Sequence, residues 1–174
     1  MLSVLQLIVD TVAVVLGGVL LLRFWMQVTR VRPPAQVAQF TFTLSDWLVR
    51  PLRRIVPGMG GYDWASLIGA FLVVLLASCV LLLQNASGEM VFMMALFRFL
   101  NWITYGFMAL LIIEAIFSWI NPHAPLAPFV HALNDPLLRP IRRVVPPIGG
   151  IDLSVLVAII LLQIAQMIIR RLFF

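Results

Sequence analysis

The sequence predicts an all-α integral membrane protein, with four transmembrane helices in two tandem parallel repeats. Each repeat carries a cytoplasmic interfacial helix and a Pro/Arg/Gly-Gly-Asp motif. Three observations carry this reading. Apolar residues make up 63% of the 174-residue chain and charged residues 11%, with a mean hydropathy of +1.08. Soluble domains carry about a quarter charged residues, so too little polar surface exists here to cover a water-facing globule. Several apolar runs also reach the ~20 residues that cross a ~30 Å hydrocarbon core. Finally, the polar stretch DWLVRPLRRIVPGMGGYD, Asp46 to Asp63, returns 89 residues later as DPLLRPIRRVVPPIGGID, Asp135 to Asp152, with 11 of 18 columns identical.

The first repeat is expected over residues 1–85 and the second over 86–174. Span one, at about 2–29, holds Asp10 and Arg23. Its opening MLSVLQ has no basic n-region and no small-residue cleavage site follows, so it reads as a retained span and not as a signal peptide. In the loop 30–63, Val37, Phe40, Leu44 and Leu48 recur at helical spacing, opposite Gln36, Gln39, Thr43, Asp46 and Arg50. That is the 3.6-residue period of an amphipathic helix, expected to lie in the membrane interface with Phe40 and Trp47 at its edge. Pro51 should end or kink this helix. Beyond Pro57, Gly60-Gly61 permit positive φ in a tight reversal. Asp63 then stands as N-cap of the uncharged span at about 64–83, where a carboxylate meets free N–H groups.

The second repeat reads the same way. Span three, at about 91–120, holds Arg98 and Glu114, and the loop 121–152 carries the apolar stripe Leu126, Phe129, Leu133 and Leu137. Asp135-Pro136 reads as an N-cap with proline at the first helical position. Pro140 should end or kink the helix, and Pro146 precedes the Gly149-Gly150 turn. Asp152 caps the last span, at about 153–171. Two spans per repeat give both repeats the same orientation, hence a pseudo-two-fold along the membrane normal and not the inverted repeats of many transporters.

Eight arginines fall in the two motif loops, and only Arg170 and Arg171 fall on the opposite side. The positive-inside rule therefore puts both loops in the cytoplasm and both termini outside, in a bacterial inner membrane. For Arg50, Arg53, Arg54, Arg139, Arg142 and Arg143 three roles stay open. They set topology, they bind anionic lipid headgroups, whose phosphates suit arginine forks, or they dock a protein partner in the membrane or cytoplasm.

Charge within a span costs about 2.5–3.5 kcal/mol at a helix centre on insertion scales. Under the 89-residue shift, Arg23 and Glu114 share a depth near the inner face, and Asp10 and Arg98 share one near the outer face. Neutralising pairs between repeats are expected, Arg23–Glu114 foremost. The second spans are expected to meet through Ala65/Gly69 and Ser154/Ala158, since small residues let backbones approach where lipid supplies no hydrophobic drive.

Chemistry is sparse. His123 and His131 are a weak metal or haem signal, and the single Cys79 lies in a span and excludes an intrachain disulfide. No metal site, cofactor, catalytic constellation or direct nucleic-acid contact is predicted, and the chain reads as a non-enzyme.

The doubled P-x-R-R-x-x-P-x-x-G-G-x-D unit between paired spans resembles the YggT (YlmG) family, over nearly the whole chain. The family pattern falls on Arg50, Pro51, Arg53, Arg54, Pro57, Gly60, Gly61 and Asp63. In the second unit it falls on Pro136, Arg139, Pro140, Arg142, Arg143, Pro146, Gly149, Gly150, Asp152 and Ser154. Trp47 and Ala65 depart from it in the first unit, where the second has Pro136 and Ser154. The resemblance implies links to osmotic tolerance and cell division in bacteria, and to haem attachment and nucleoid distribution in plastids. The function expected is a non-enzymatic inner-membrane scaffold or assembly factor, with room for a homo-oligomer. The alternative is an ion or solute pathway in osmotic regulation, with Arg23 and Glu114 as pore-side charges.

Overall fold

The computed structural model describes residues 2–56, 58, 60–145 and 152–174. Among them are six α-helices and no strand: α1 (Leu2–Val28), α2 (Ala35–Ile55), α3 (Trp64–Ser78), α4 (Gly88–Ile120), α5 (Ala127–Arg142) and α6 (Ser154–Phe173). A 3-10 segment, Cys79–Gln84, continues α3. Four segments are long and apolar enough to cross a membrane: Val4–Val28, Trp64–Leu82, Gly88–Ile120 and Ser154–Phe173. The protein is accordingly a multi-pass membrane protein. Large apolar side chains such as Leu7, Leu76, Ile116 and Met167 stand exposed along these four helices, where hydrocarbon, not water, is the solvent.

Helix α2 packs on α1 and α3, and α5 packs on α4 and α6. Each short helix is thereby wedged between the two long helices that flank it in sequence. The buried side of α2 is Thr41, Ser45 and Val49, while Phe40 is exposed. The helix is thus rotated from the expected Val37–Phe40–Leu44–Leu48 stripe. The reason lies in α1, where Arg23 is buried and draws the polar atoms of α2 towards it (below). In α5 the buried residues are Val130, Leu133, Asn134 and Leu138.

Three proline expectations are corrected. Pro51 lies inside α2, and Pro136 and Pro140 lie inside α5, so none ends its helix. Asp135-Pro136 is not a helix start either, because α5 begins at Ala127. All three prolines are on exposed faces, where a carbonyl deprived of its N–H partner can meet polar surroundings.

The small residues of α3 and α6 also serve another purpose than expected. A Cβ on Gly69 would meet Leu52 and Leu48 of α2 and Leu20 of α1. Ala158 is fully buried with Leu111 of α4 and Leu138 of α5. These positions seat each short helix against its own long neighbours; they do not join α3 to α6.

The two halves meet through α4, which touches α1 and α3. Phe71 of α3 sits edge-on to Phe92 and Phe99 of α4, at 6.1 and 5.4 Å between ring centroids. Gly17 of α1 lies under the Trp102 ring, which would stand 2.3 Å from an added Cβ. Trp25 bridges further, donating its indole N–H to the Leu133 carbonyl of α5 at 2.9 Å.

Candidate functional site: two arginine–aspartate clamps

The first motif makes its own reversal before α3. Gly60 and Gly61 adopt φ of +68° and +80°, the left-handed region that glycine enters without a Cβ clash. Gln27 donates to the Gly61 carbonyl at 3.1 Å, tying the turn to α1. This delivers Asp63 back to the end of α2, where Arg53 holds it. Arg53 Nη2 donates to Oδ2 at 2.6 Å and Nε to Oδ1 at 3.2 Å. Such a fork is among the stronger polar contacts in proteins.

Asp63 is buried and its second donor is Ser66 Oγ, at 2.6 Å. No side-chain cap bond to a backbone N–H of α3 forms, so the expected capping role is replaced by the clamp. Burial alone would raise the Asp63 carboxyl. Hydrogen bonds from Arg53 and Ser66, with the charges of Arg53 and Arg23, outweigh burial and hold it below its ordinary value.

Arg23 completes this cluster from α1. It is buried, donates to Ser45 Oγ at 2.6 Å and Asp46 Oδ1 at 2.7 Å, and lies 3.6 Å from Asp63. Its guanidinium also stands 4.9 Å over the Phe42 ring, a cation–π arrangement. The hydrogen bond from Arg23 is the largest influence on Asp46; with help from Arg50 it overcomes burial and lowers that carboxyl too.

The second motif repeats the clamp with looser surroundings. Arg142 donates to Asp152 Oδ2 through Nε at 2.9 Å and lies within 2.8 Å through Nη2. Asp152 accepts from the Ser154 backbone N–H at 2.9 Å and from the Ser154 hydroxyl. Asp152 stands one residue before the N-cap, Leu153, so it meets the first N–H of its helix without being the expected N-cap. Burial again raises Asp152, and the Ser154 and Arg142 hydrogen bonds more than reverse it. Arg142 Nη2 also donates to Glu114 Oε1 at 3.2 Å, and His131 Nδ1 lies 2.9 Å from the same oxygen.

The expected Arg23–Glu114 pair is therefore corrected: each charge finds its ion-pair partners inside its own half. The physical reason is reach. An aspartate and a serine on α2 lie beside Arg23, and an arginine on α5 lies beside Glu114, so neither has to cross to the other long helix. Asp10 and Arg98 do meet, between α1 and α4, with Ser78 accepting from Arg98 at 3.5 Å.

The six motif arginines divide by position. Arg53 and Arg142 are engaged in the clamps. Arg50 and Arg139 form surface pairs with Asp46 and Asp135, four residues earlier. Arg54 and Arg143 are exposed and make no ion pair among the described residues. Pro57, Pro146, Gly149 and Gly150 lie outside the described residues.

Sequence reasoning missed Ser45, Asp46, Ser66 and His131 as cluster members. One signal was readable. Ser66 stands one position beyond Ala65, and it supplies the hydroxyl that Ser154 supplies in the second motif. The departure at Ala65 is thus compensated.

The CCB3/YggT family model matches residues 2–84 and again 93–173. An uncharacterized protein of Vibrio alginolyticus, described by its place in the proC 3′ region, is 37% identical over 155 residues, covering 85% of this chain and 83% of that one. The uncharacterized protein YggT of Escherichia coli K12 is 33% identical over 166 residues, covering 95% and 88%. An uncharacterized protein of Pseudomonas aeruginosa is 35% identical over 161 residues, covering 87% and 80%. No solved structure matches.

Proposed function

The chain belongs to the CCB3/YggT family, and from that premise we propose that it is a non-enzymatic membrane scaffold whose two motif loops engage anionic lipid headgroups on the cytoplasmic face. The observation that carries this reading is the division within each Arg-Arg pair. One arginine, Arg53 or Arg142, is paired with the aspartate that precedes the following helix, and the next, Arg54 or Arg143, is exposed with no ion pair among the described residues. A topology signal needs only charge. A clamp that fixes the backbone beside an uncommitted guanidinium positions it, and a positioned fork suits phosphate.

In this account α2 and α5 lie in the interface, the loops are cytoplasmic and the termini extracytoplasmic. The motifs form two like-oriented lipid-contacting platforms in the bacterial inner membrane. A scaffold of this kind would serve osmotic tolerance, cell division or cofactor assembly by organising other membrane proteins. The test is photo-crosslinking from positions 54 and 143 in native membranes. Crosslinks to phospholipid support the reading; crosslinks dominated by one cytoplasmic protein would replace lipid with a protein partner.

A further inference from the structure

The second half holds a cavity of about 720 Å³ between the end of α4, the start of α5 and the start of α6. That is within the ~300–1,000 Å³ range of small-molecule sites. Phe117, Leu156 and Ile159 give it an apolar wall, and Glu114, His131, Arg142 and Asp152 a polar end. The polar end is unbalanced. Glu114 and Asp152 share a single guanidinium, that of Arg142, so two carboxylates face one arginine there.

The buried Glu114 shows the deficit directly: His131 and Arg142 both meet Oε1, while Oε2 has no hydrogen-bond partner. A buried carboxylate oxygen without a donor is costly. The first half shows no orphaned carboxylate oxygen among the described residues; its buried side-chain atoms without a hydrogen-bond partner are Arg23 Nε and Thr41 Oγ1. There Arg23 and Arg53 face Asp46 and Asp63, and Phe42 stands where the second half has His131.

We propose that this cavity binds the headgroup of a primary-ammonium phospholipid, of the phosphoethanolamine class. The ammonium sets a positive charge beside the two carboxylates and supplies the donor that Glu114 Oε2 lacks, reached by a turn of the carboxylate about its Cγ–Cδ bond. Arg142 and His131, at the polar end, sit where the phosphate follows. Leu156 and Ile159 take the first part of an acyl chain. A quaternary ammonium has no N–H to give, and an anionic headgroup would add to the excess negative charge; both are disfavoured. The site is separate from the outward arginines and does not depend on the anionic-lipid reading.

Native mass spectrometry of the full chain in detergent tests this, using dioleoyl phosphatidylethanolamine, its N-methyl and N,N-dimethyl forms, phosphatidylcholine and phosphatidylglycerol with the same tails. The ethanolamine adduct should exceed the choline adduct by about tenfold, which is about 1.4 kcal/mol, and fall with each added methyl. Glu114→Gln should reduce that ratio to about twofold or less. Leu156→Trp, at an exposed position, should lower the ethanolamine adduct about threefold by narrowing the cavity. Equal binding of the ethanolamine and choline lipids by the wild-type chain would overturn the proposal, even if Glu114→Gln failed to fold. So would an unchanged preference in Glu114→Gln, unchanged binding in Leu156→Trp, or a stronger glycerol adduct. Arg54→Gln with Arg143→Gln should leave the ethanolamine preference intact, and its loss there would also overturn the proposal.

Discussion

Asp63→Asn removes one negative charge from the first clamp with almost no change of shape. The asparagine can still accept from Ser66, so the perturbation is electrostatic. Two guanidiniums are left facing Asp46 alone, and they differ in exposure: the Arg23 side chain is 7% exposed and that of Arg53 49%. Arg53 can turn to solvent, so its share is small, as for other half-exposed pairs. Arg23 cannot. Breaking one partner of a buried pair costs about 3–5 kcal/mol, and because Arg23 keeps Asp46 and Ser45 the lower end applies, about 3 kcal/mol.

Asp152→Asn is the internal control. Its side chain is 33% exposed, and Arg142 keeps Glu114, so the expected cost is about 1 kcal/mol. Stability in dodecyl maltoside micelles, followed by circular dichroism during titration with a denaturing detergent, gives both numbers. A cost for Asp63→Asn no larger than for Asp152→Asn would refute the claim that the buried Arg23 sets the stakes of the first cluster.

Other consequences follow from the same contacts. Asp46, Asp63 and Asp152 are held below the ordinary carboxylate value of 3.8. Their stabilisation should be complete above that value and lost as pH falls through the lower folded values, seen as a steep fall in the same titration between about pH 4 and pH 2; a flat profile there would count against the clamps. Gly17→Ala forces a Cβ against the Trp102 ring and should cost about 1–3 kcal/mol by overpacking, more than the same change at Gly106, which has open space. Trp25→Phe removes the hydrogen bond to Leu133 but keeps most of the ring, so its cost should be about 1 kcal/mol. Arg54→Cys and Arg143→Cys, in a Cys79→Ala chain, should resist impermeant thiol reagents added outside intact cells; labelling of both from outside would invert the proposed orientation.

Much of this arrangement is legible in the chain itself. Apolar runs bounded by polar motifs locate the four long helices, because nothing but a helix satisfies its own backbone in hydrocarbon. The glycine pair at positions 60 and 61 announced its reversal, since only glycine takes those angles freely. The partners of buried charge were not legible. Depth along a span says that Arg23 and Glu114 are level, but not which way each points. Asp10 and Arg23, thirteen residues apart, differ by roughly 220° around a helix at ~100° per residue, so one contact line could not serve two pairs. What decides is the rotation of α2 and α5. That in turn depends on side chains such as Ser45 and Asn134, the latter donating to the Leu110 carbonyl at 2.9 Å, whose small polar signal is invisible beside the apolar stripe. Proline misled for a related reason: on an exposed helix face its missing N–H costs little, so Pro51 and Pro140 sit inside helices they were expected to end or kink, and Pro136 inside one it was expected to start.

The central claim is that the paired arginines divide their labour, one bound to aspartate for the fold and the next turned outward for lipid. Lipid retention separates the two roles. The full chain is extracted with native lipid, and co-purifying phosphatidylglycerol and cardiolipin are quantified for wild type, for Arg54→Gln with Arg143→Gln, and for Arg53→Gln with Arg142→Gln, alongside the denaturation midpoint of each. The account predicts that the outward pair loses most of its anionic lipid at unchanged stability, whereas the aspartate-bound pair loses stability first. Retention of wild-type anionic lipid by the outward pair, or lipid loss matched by equal destabilisation in both variants, would contradict it.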